Sequence, residues 1–197
     1  MLSFPAYVVV AAGVDRPWLD RQLGDGDFAR PTSPPFLSAL EERLGVRAGS
    51  LDAMLIATPL AGDPEIALAP AGDAAVPGVR APAPRLRHSR VARAHRYRSD
   101  IRVWTGEHGI LVLGRGLAGR WEAAFEVDET GRGRGYGRAL AIAARHLVPE
   151  GRPVWAQCPP GNAASLRALL AAGYIPIGSE VLLIPPGRHP GDPPSRA

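Results

Sequence analysis

The chain has 197 residues, 46% of them hydrophobic and 21% charged, enough apolar material for one folded domain with an extension. No apolar run reaches the roughly 20 residues of a helical membrane span, no basic-then-apolar leader opens the chain, and the lone Cys158 excludes an internal disulfide framework, so the expectation is a soluble, cytoplasmic protein. Net charge is +4 and all 23 basic residues are arginine, which excludes a P-loop lysine, a Schiff-base lysine and a lysine general base.

In chain order, Ala6–Ala11 reads as a short buried strand and Pro17–Leu23 as a helical turn. Ser33-Pro34-Pro35 opens a helix, because proline is tolerated in a first turn. Phe36, Leu40 and Leu44 then repeat at spacing four, and Gly45 stops it. Leu51–Pro59 and Glu65–Ala69 read as strands. Residues 71–98 read as an Arg- and Pro-rich connector. Between Arg80 and Arg98 stand seven arginines and no acid, while the rest of the chain sets 16 arginines against 19 acids. That run is either a solvated linker or a basic rim beside an anionic ligand or nucleic acid.

The second half is sharper. Ile101–Trp104 and Ile110–Gly114 flank a glycine-containing spacer, as in a hairpin. Trp121–Val127 alternates, with Ala123, Phe125 and Val127 on one face and Glu122, Ala124 and Glu126 on the other. A helix over Arg138–Val148 carries Leu140, Ala143, Ala144 and Leu147 as its stripe. Pro153–Cys158 is a strand, and Asn162 is a suitable N-cap for a helix over Ala163–Ala172 that buries Leu166, Leu169 and Leu170 and ends at Gly173. Tyr174–Ile177 and Glu180–Ile184 read as two strands turned at Gly178-Ser179, followed by a disordered tail.

The segment between the alternating strand and its helix is Gly131-Arg132-Gly133-Arg134-Gly135-Tyr136-Gly137-Arg138. Glycines there free backbone N–H groups to point at a ligand, and the helix N-terminus behind them favours an anion. Arginine grips phosphate bidentately, so the segment reads as a phosphate cradle. No Gly-x-Gly-x-x-Gly register exists, which argues against a dinucleotide fold. Arg/Gly segments also bind RNA, but those are long and repetitive, whereas this one is clamped between a strand and a helix.

Arg132-x-x-Gly135-x-Gly137, with Asn162-x-x-Ser165 opening the next helix and Ala172-Gly173-Tyr174 closing it, resembles the Gcn5-related N-acetyltransferase family over Asp100–Ile184. The resemblance implies an α/β (α+β) fold: a mixed, mostly antiparallel central sheet, flanking helices and a central, splayed parallel strand pair. It implies acetyl-CoA as co-substrate, no metal, and direct acetyl transfer to a primary amine, small molecule or peptide, in a ternary complex. Residues 96–185 would form the cofactor-binding core, 1–95 the acceptor side, and 186–197 the tail. Arg132, Gly133, Arg134, Gly135, Tyr136, Gly137 and Arg138 would hold phosphates. Phe125 and Val127 would flank the pantetheine arm, with Asn162 and Ser165 beside it. Asn162 reads equally as a plain helix cap, and Ser165 as a solvated first-turn residue.

In that family a base on the strand before the loop accepts a proton. Glu122 and Glu126 share a face of that strand, and alternation does not choose between them. The family's tyrosine acid is replaced here by Leu169, which leaves Ser165, Tyr174, Cys158 or solvent to protonate the thiolate. Tyr174 is carried with the two glutamates as a candidate. A coenzyme-A-binding regulator without catalysis and an Arg/Gly-loop RNA binder are the alternatives. No membrane partner is expected, and a homodimer is left open.

Overall fold

The structure is a computed structural model that describes residues 1–24, 27, 29–71 and 89–185. Residues 72–88 of the expected connector and the expected disordered tail from 186 on lie outside them. The described chain divides into two units.

The first unit takes the described residues of Met1–Met54, Cys158–Gly161 and Pro176–Asp192. Its strands β1 (Leu2–Phe4), β2 (Tyr7–Val9), β3 (Arg47–Ala57) and β9 (Ile175–Ile184) are hydrogen-bonded in the order β2-β1-β9-β3. The single strand expected over Ala6–Ala11 is instead the second arm of a hairpin. Pro5 and Ala6 form its turn, and Phe4 and Tyr7 stack across it at 4.9 Å. Helix α1 (Arg16–Leu23) begins where the Trp18 N–H donates to Asp15 Oδ1 at 2.8 Å. Helix α2 (Pro34–Leu44) has prolines in its first turn and ends at left-handed Gly45. Phe36 and Leu40 of α2 form a core with Val181, against which Val8 and Trp18 pack.

The last two expected strands are one. The anticipated turn at Gly178-Ser179 is absent because β9 runs straight past β1, with Ser3 opposite Ser179. Gly178 serves this close approach, since a Cβ there collides with the Ser3 carbonyl.

The second unit takes the described residues of Leu55–Gln157 and Asn162–Ile175. Strands β4 (Ala69–Ala71), β5 (Ser99–Gly106), β6 (Gly109–Arg115), β7 (Trp121–Val127) and β8 (Val154–Cys158) lie in the order β8-β7-β6-β5-β4. Pairing from β4 to β7 is antiparallel, and β7 with β8 is parallel. The expected strand over Glu65–Ala69 is displaced to Ala69–Ala71. The expected connector ends in a helix, α3 (Ser89–Tyr97), whose apolar stripe is only Val91 and Ala94. These two residues pack on Val103, Ile110 and Val112.

The other face of β6 receives α4 (Tyr136–Leu147), with the Leu140 side chain over Gly109. This helix starts two residues before the expected Arg138. Leu140, Ala141, Ala143 and Ala144 are buried, while Leu147 is half-buried. Helix α5 (Ala163–Ala171) follows, with Leu169 buried and Leu166 half-buried. Leu170, expected in the core, is 46% exposed.

The feature that positions the site is where pairing stops. β7 is paired with β6 along its whole length, from Trp121↔Arg115 to Val127↔Gly109. Its pairing with β8 runs only from Trp121↔Val154 to Ala123↔Ala156. Ala124–Val127 therefore leave one backbone edge without a strand partner. The expected mixed sheet with a splayed parallel pair is present.

Leu140 is fully buried, so Leu140→Ala leaves a cavity and is expected to cost about 2–5 kcal/mol in urea unfolding.

Candidate functional site

Beside the open edge of β7 lies a cleft of about 770 Å3. Its walls come from the end of β7, the glycine–arginine loop, the first turns of α4 and α5, and Arg90 of α3. Of the residues expected to bind a cofactor, Phe125 and Val127 line it from the strand. Arg132, Gly133, Gly135, Tyr136, Gly137 and Arg138 line it from the loop and α4, and Asn162 and Ser165 from α5. Arg134 stands outside the lining, exposed to solvent.

The loop's shape follows from its glycines. Gly133 and Gly135 adopt φ of 74° and 80°, left-handed values that side-chain-bearing residues resist. Gly135 caps α4 without any side-chain hydrogen bond, and the first-turn residues Tyr136, Gly137 and Arg138, whose amides lack intrahelical acceptors, border the cleft. A Cβ on Gly137 would lie 3.5 Å from the Ala168 Cβ, an ordinary contact, so α4 and α5 meet closely at this position.

The β5–β6 turn buttresses the loop from beneath. The Asp128 N–H donates to the His108 carbonyl at 2.8 Å, and the His108 and Tyr136 rings meet edge-on at 5.2 Å. A Cβ on Gly131 falls 2.6 Å from the His108 Cβ, so this position excludes larger residues.

Asn162 is a helix cap as expected: its Oδ1 accepts from the Ser165 N–H at 3.1 Å, and both residues still border the cleft. Arg90 and Arg167 join the lining although neither was singled out from the sequence. Arg90 belongs to the Arg80–Arg98 run, for which a basic rim beside an anion was one of the two readings. For Arg167 the signal was its place one turn into the helix that Asn162 caps.

The candidate bases separate. Glu126 lines the cleft, its Oε2 accepting from Arg90 Nε at 3.0 Å. Glu122 is buried and does not line it. Its carboxylate accepts from Arg98 Nε at 3.0 Å and Arg120 Nε at 2.7 Å, in side chains at most 14% exposed. Each glutamate is matched to its own arginines, which separates the two where alternation did not. Burial lowers the Arg98 pKa from its ordinary value, and the Glu122 charge opposes that shift. Gly116 lies so close to this carboxylate that a Cβ there collides with it.

Tyr174 also lies away from the cleft lining. It is 2% exposed, its hydroxyl donates to the Ala141 carbonyl at 3.2 Å, and burial raises its pKa above the ordinary value. Leu169 and Cys158 are buried at 2% and 1% exposure. Among the described residues, no group of three or more His, Cys, Asp or Glu is placed to hold a metal ion, and no helix is long and apolar enough to cross a membrane.

No protein-family profile matches this chain, and no curated protein is significantly similar to it. Among solved structures, a GCN5-related N-acetyltransferase from Kribbella flavida is similar at a TM-score of 0.48 and 19% identity, covering 81% of this chain and 67% of that one.

Two outcomes follow from the buried groups. Glu122→Gln leaves Arg98 and Arg120 without their anion, and is expected to destabilise by about 3–5 kcal/mol in chemical unfolding. Tyr174 holds its proton in the folded state at pH values where the unfolded chain begins to lose it. Its contribution is complete below the ordinary tyrosine value of 10.0 and falls as pH rises above it. Tyr174→Phe should flatten the alkaline loss of stability measured against pH; an unchanged slope contradicts the assignment.

Proposed function

We propose that this chain is an acetyl-CoA-dependent N-acetyltransferase that acts on a primary amine by direct attack in a ternary complex. The observation carrying the reading is convergence: the glycine–arginine loop, the unpaired edge of β7 and the Asn162 cap border one cleft. Each part answers a different portion of the donor. Loop and α4 amides, with Arg132 and Arg138, suit a pyrophosphate. The open edge of Ala124–Val127 suits an extended amide-bearing arm that adds to the sheet like a strand. Acetyl-CoA, when bound, supplies an activated acetyl thioester.

The remaining chemistry falls to side chains on the wall. Glu126 accepts the proton that the amine gives up as it attacks, and Arg90 holds the carboxylate in place. A β7 amide on the open edge polarises the thioester carbonyl. With Tyr174 committed to Ala141 and Cys158 buried, Ser165 is the side chain left among the expected candidates to protonate the leaving thiolate. The apolar, buried Leu169 favours a second reading, a coenzyme-A-binding regulator that performs no transfer.

Acetyl-CoA at millimolar concentration should raise the melting temperature, and free thiol should be released when an amine panel is added. A shift without thiol release assigns the regulator, whereas no shift removes both readings. Gly135→Val should abolish the shift, because φ of 80° is denied to a β-branched residue. Glu126→Gln should keep the shift while lowering kcat by about 10²–10⁴.

A further inference from the structure

Four arginines line the cleft: Arg132, Arg138, Arg167 and Arg90. Arg132 and Arg138 stand on the loop and α4, where donor phosphates are proposed to lie, and Arg167 stands on α5. Arg90 comes instead from α3 and pairs with Glu126, which among the described residues is the one carboxylate in the lining. The pair is not buried: its side chains are 40% and 39% exposed, so both ions show an edge to anything that enters.

The helix that supplies Arg90 is itself one-signed. α3 carries Arg90, Arg93 and Arg96 and no acid, and the guanidinium groups of Arg93 and Arg96 lie 5.8 and 5.3 Å from the Tyr97 ring.

We infer that the acceptor is an amine that also carries a carboxylate, an α-amino acid in its simplest form. The inference rests on the acetyltransferase reading of the cleft. Glu126 takes the ammonium group and Arg90 the carboxylate, so the protein's ion pair is answered by one of opposite order. An α-amino acid holds its two charges one carbon apart, a separation that a contact ion pair can meet with one ion each. A polyamine or a basic peptide brings only cations to a wall rich in arginine. A cation brought beside another of the same sign is penalised, and a carboxylate there reverses the sign.

The test compares thiol release for the proteinogenic α-amino acids, for the decarboxylated amine matching each, and for spermidine, in the wild type, Arg90→Met and Arg90→Lys. Acetyl-CoA thermal shift is read in parallel. The expected result is kcat/KM at least about tenfold higher for the carboxylate-bearing member of an accepted pair, a difference of about 1.4 kcal/mol. Arg90→Met should collapse that ratio to within about threefold, and Arg90→Lys should keep an intermediate ratio. The ratio is taken within each variant, so a loss of folded protein lowers both members alike. Equal or better turnover of the decarboxylated amines or of spermidine overturns the inference, as does an unchanged ratio in Arg90→Met. A cofactor shift with no turnover of any acceptor overturns it and leaves the donor cleft standing. The absence of a cofactor shift overturns the reading beneath it.

Discussion

Backbone amides in a sheet must find a partner, and beyond Ala123 those of β7 have a partner strand on only one side. β6 pairs the strand from end to end, while β8 leaves it after Ala123 and Ala156. The remaining residues, Ala124–Val127, therefore present hydrogen-bonding groups to a space that no strand fills. The glycine–arginine loop begins where this strand ends, and α4 starts from the loop. The cleft is thus a consequence of one interrupted ladder. Closing it by extending the β8 pairing would satisfy the same backbone groups and remove the space.

An interrupted ladder needs rigid walls, and buried charge provides one of them. Glu122 sits at the paired end of β7 between Arg98 and Arg120, tying the end of α3 and the 116–120 turn to the strand. Arg120 also lies over Trp155 at 4.9 Å, and Arg115 over Trp121 at 4.6 Å while pairing with Asp100 and Glu150. Planar guanidinium groups can stack and pair at once, which an ammonium cannot do as well. A chain without lysine uses arginine for structure and for the cleft alike. Four residues further along β7, the same device recurs half-exposed as Arg90–Glu126. Burial separates the two pairs: one braces the strand, and the other faces the cleft.

Legibility from sequence followed the reach of the interactions. Local rules placed the loop, the Asn162 cap and the hairpin, because spacing and backbone geometry within a few residues decide them. They failed where partners come from afar. Nothing near Gly178 in the chain announces the Ser3 carbonyl that keeps β9 straight. Nothing in Glu122 and Glu126 distinguishes them until Arg98 and Arg90 approach from α3. That helix was itself hidden, because Val91 and Ala94 are too small a stripe among so many arginines. Tyr174 was placed among the acids by its position after a helix, yet its hydroxyl is spent on Ala141 across 33 residues of sequence.

On the proposed reading, the cleft's electrostatics make the two ligands depend on one another. Arg132, Arg138 and Arg167 without phosphates leave the wall strongly positive around the single Glu126 carboxylate. Any ammonium group then approaches against the field, and its attraction to Glu126 is partly cancelled by the three distant cations as well as by Arg90. Donor phosphates neutralise the three and leave Arg90–Glu126 as the local pair that an acceptor meets. Donor binding therefore strengthens the hold of Glu126 on the acceptor's ammonium group, and by linkage that contact strengthens donor binding by the same factor. The loop arginines in this account do more than hold phosphate: until the donor is bound they oppose the acceptor's ammonium group.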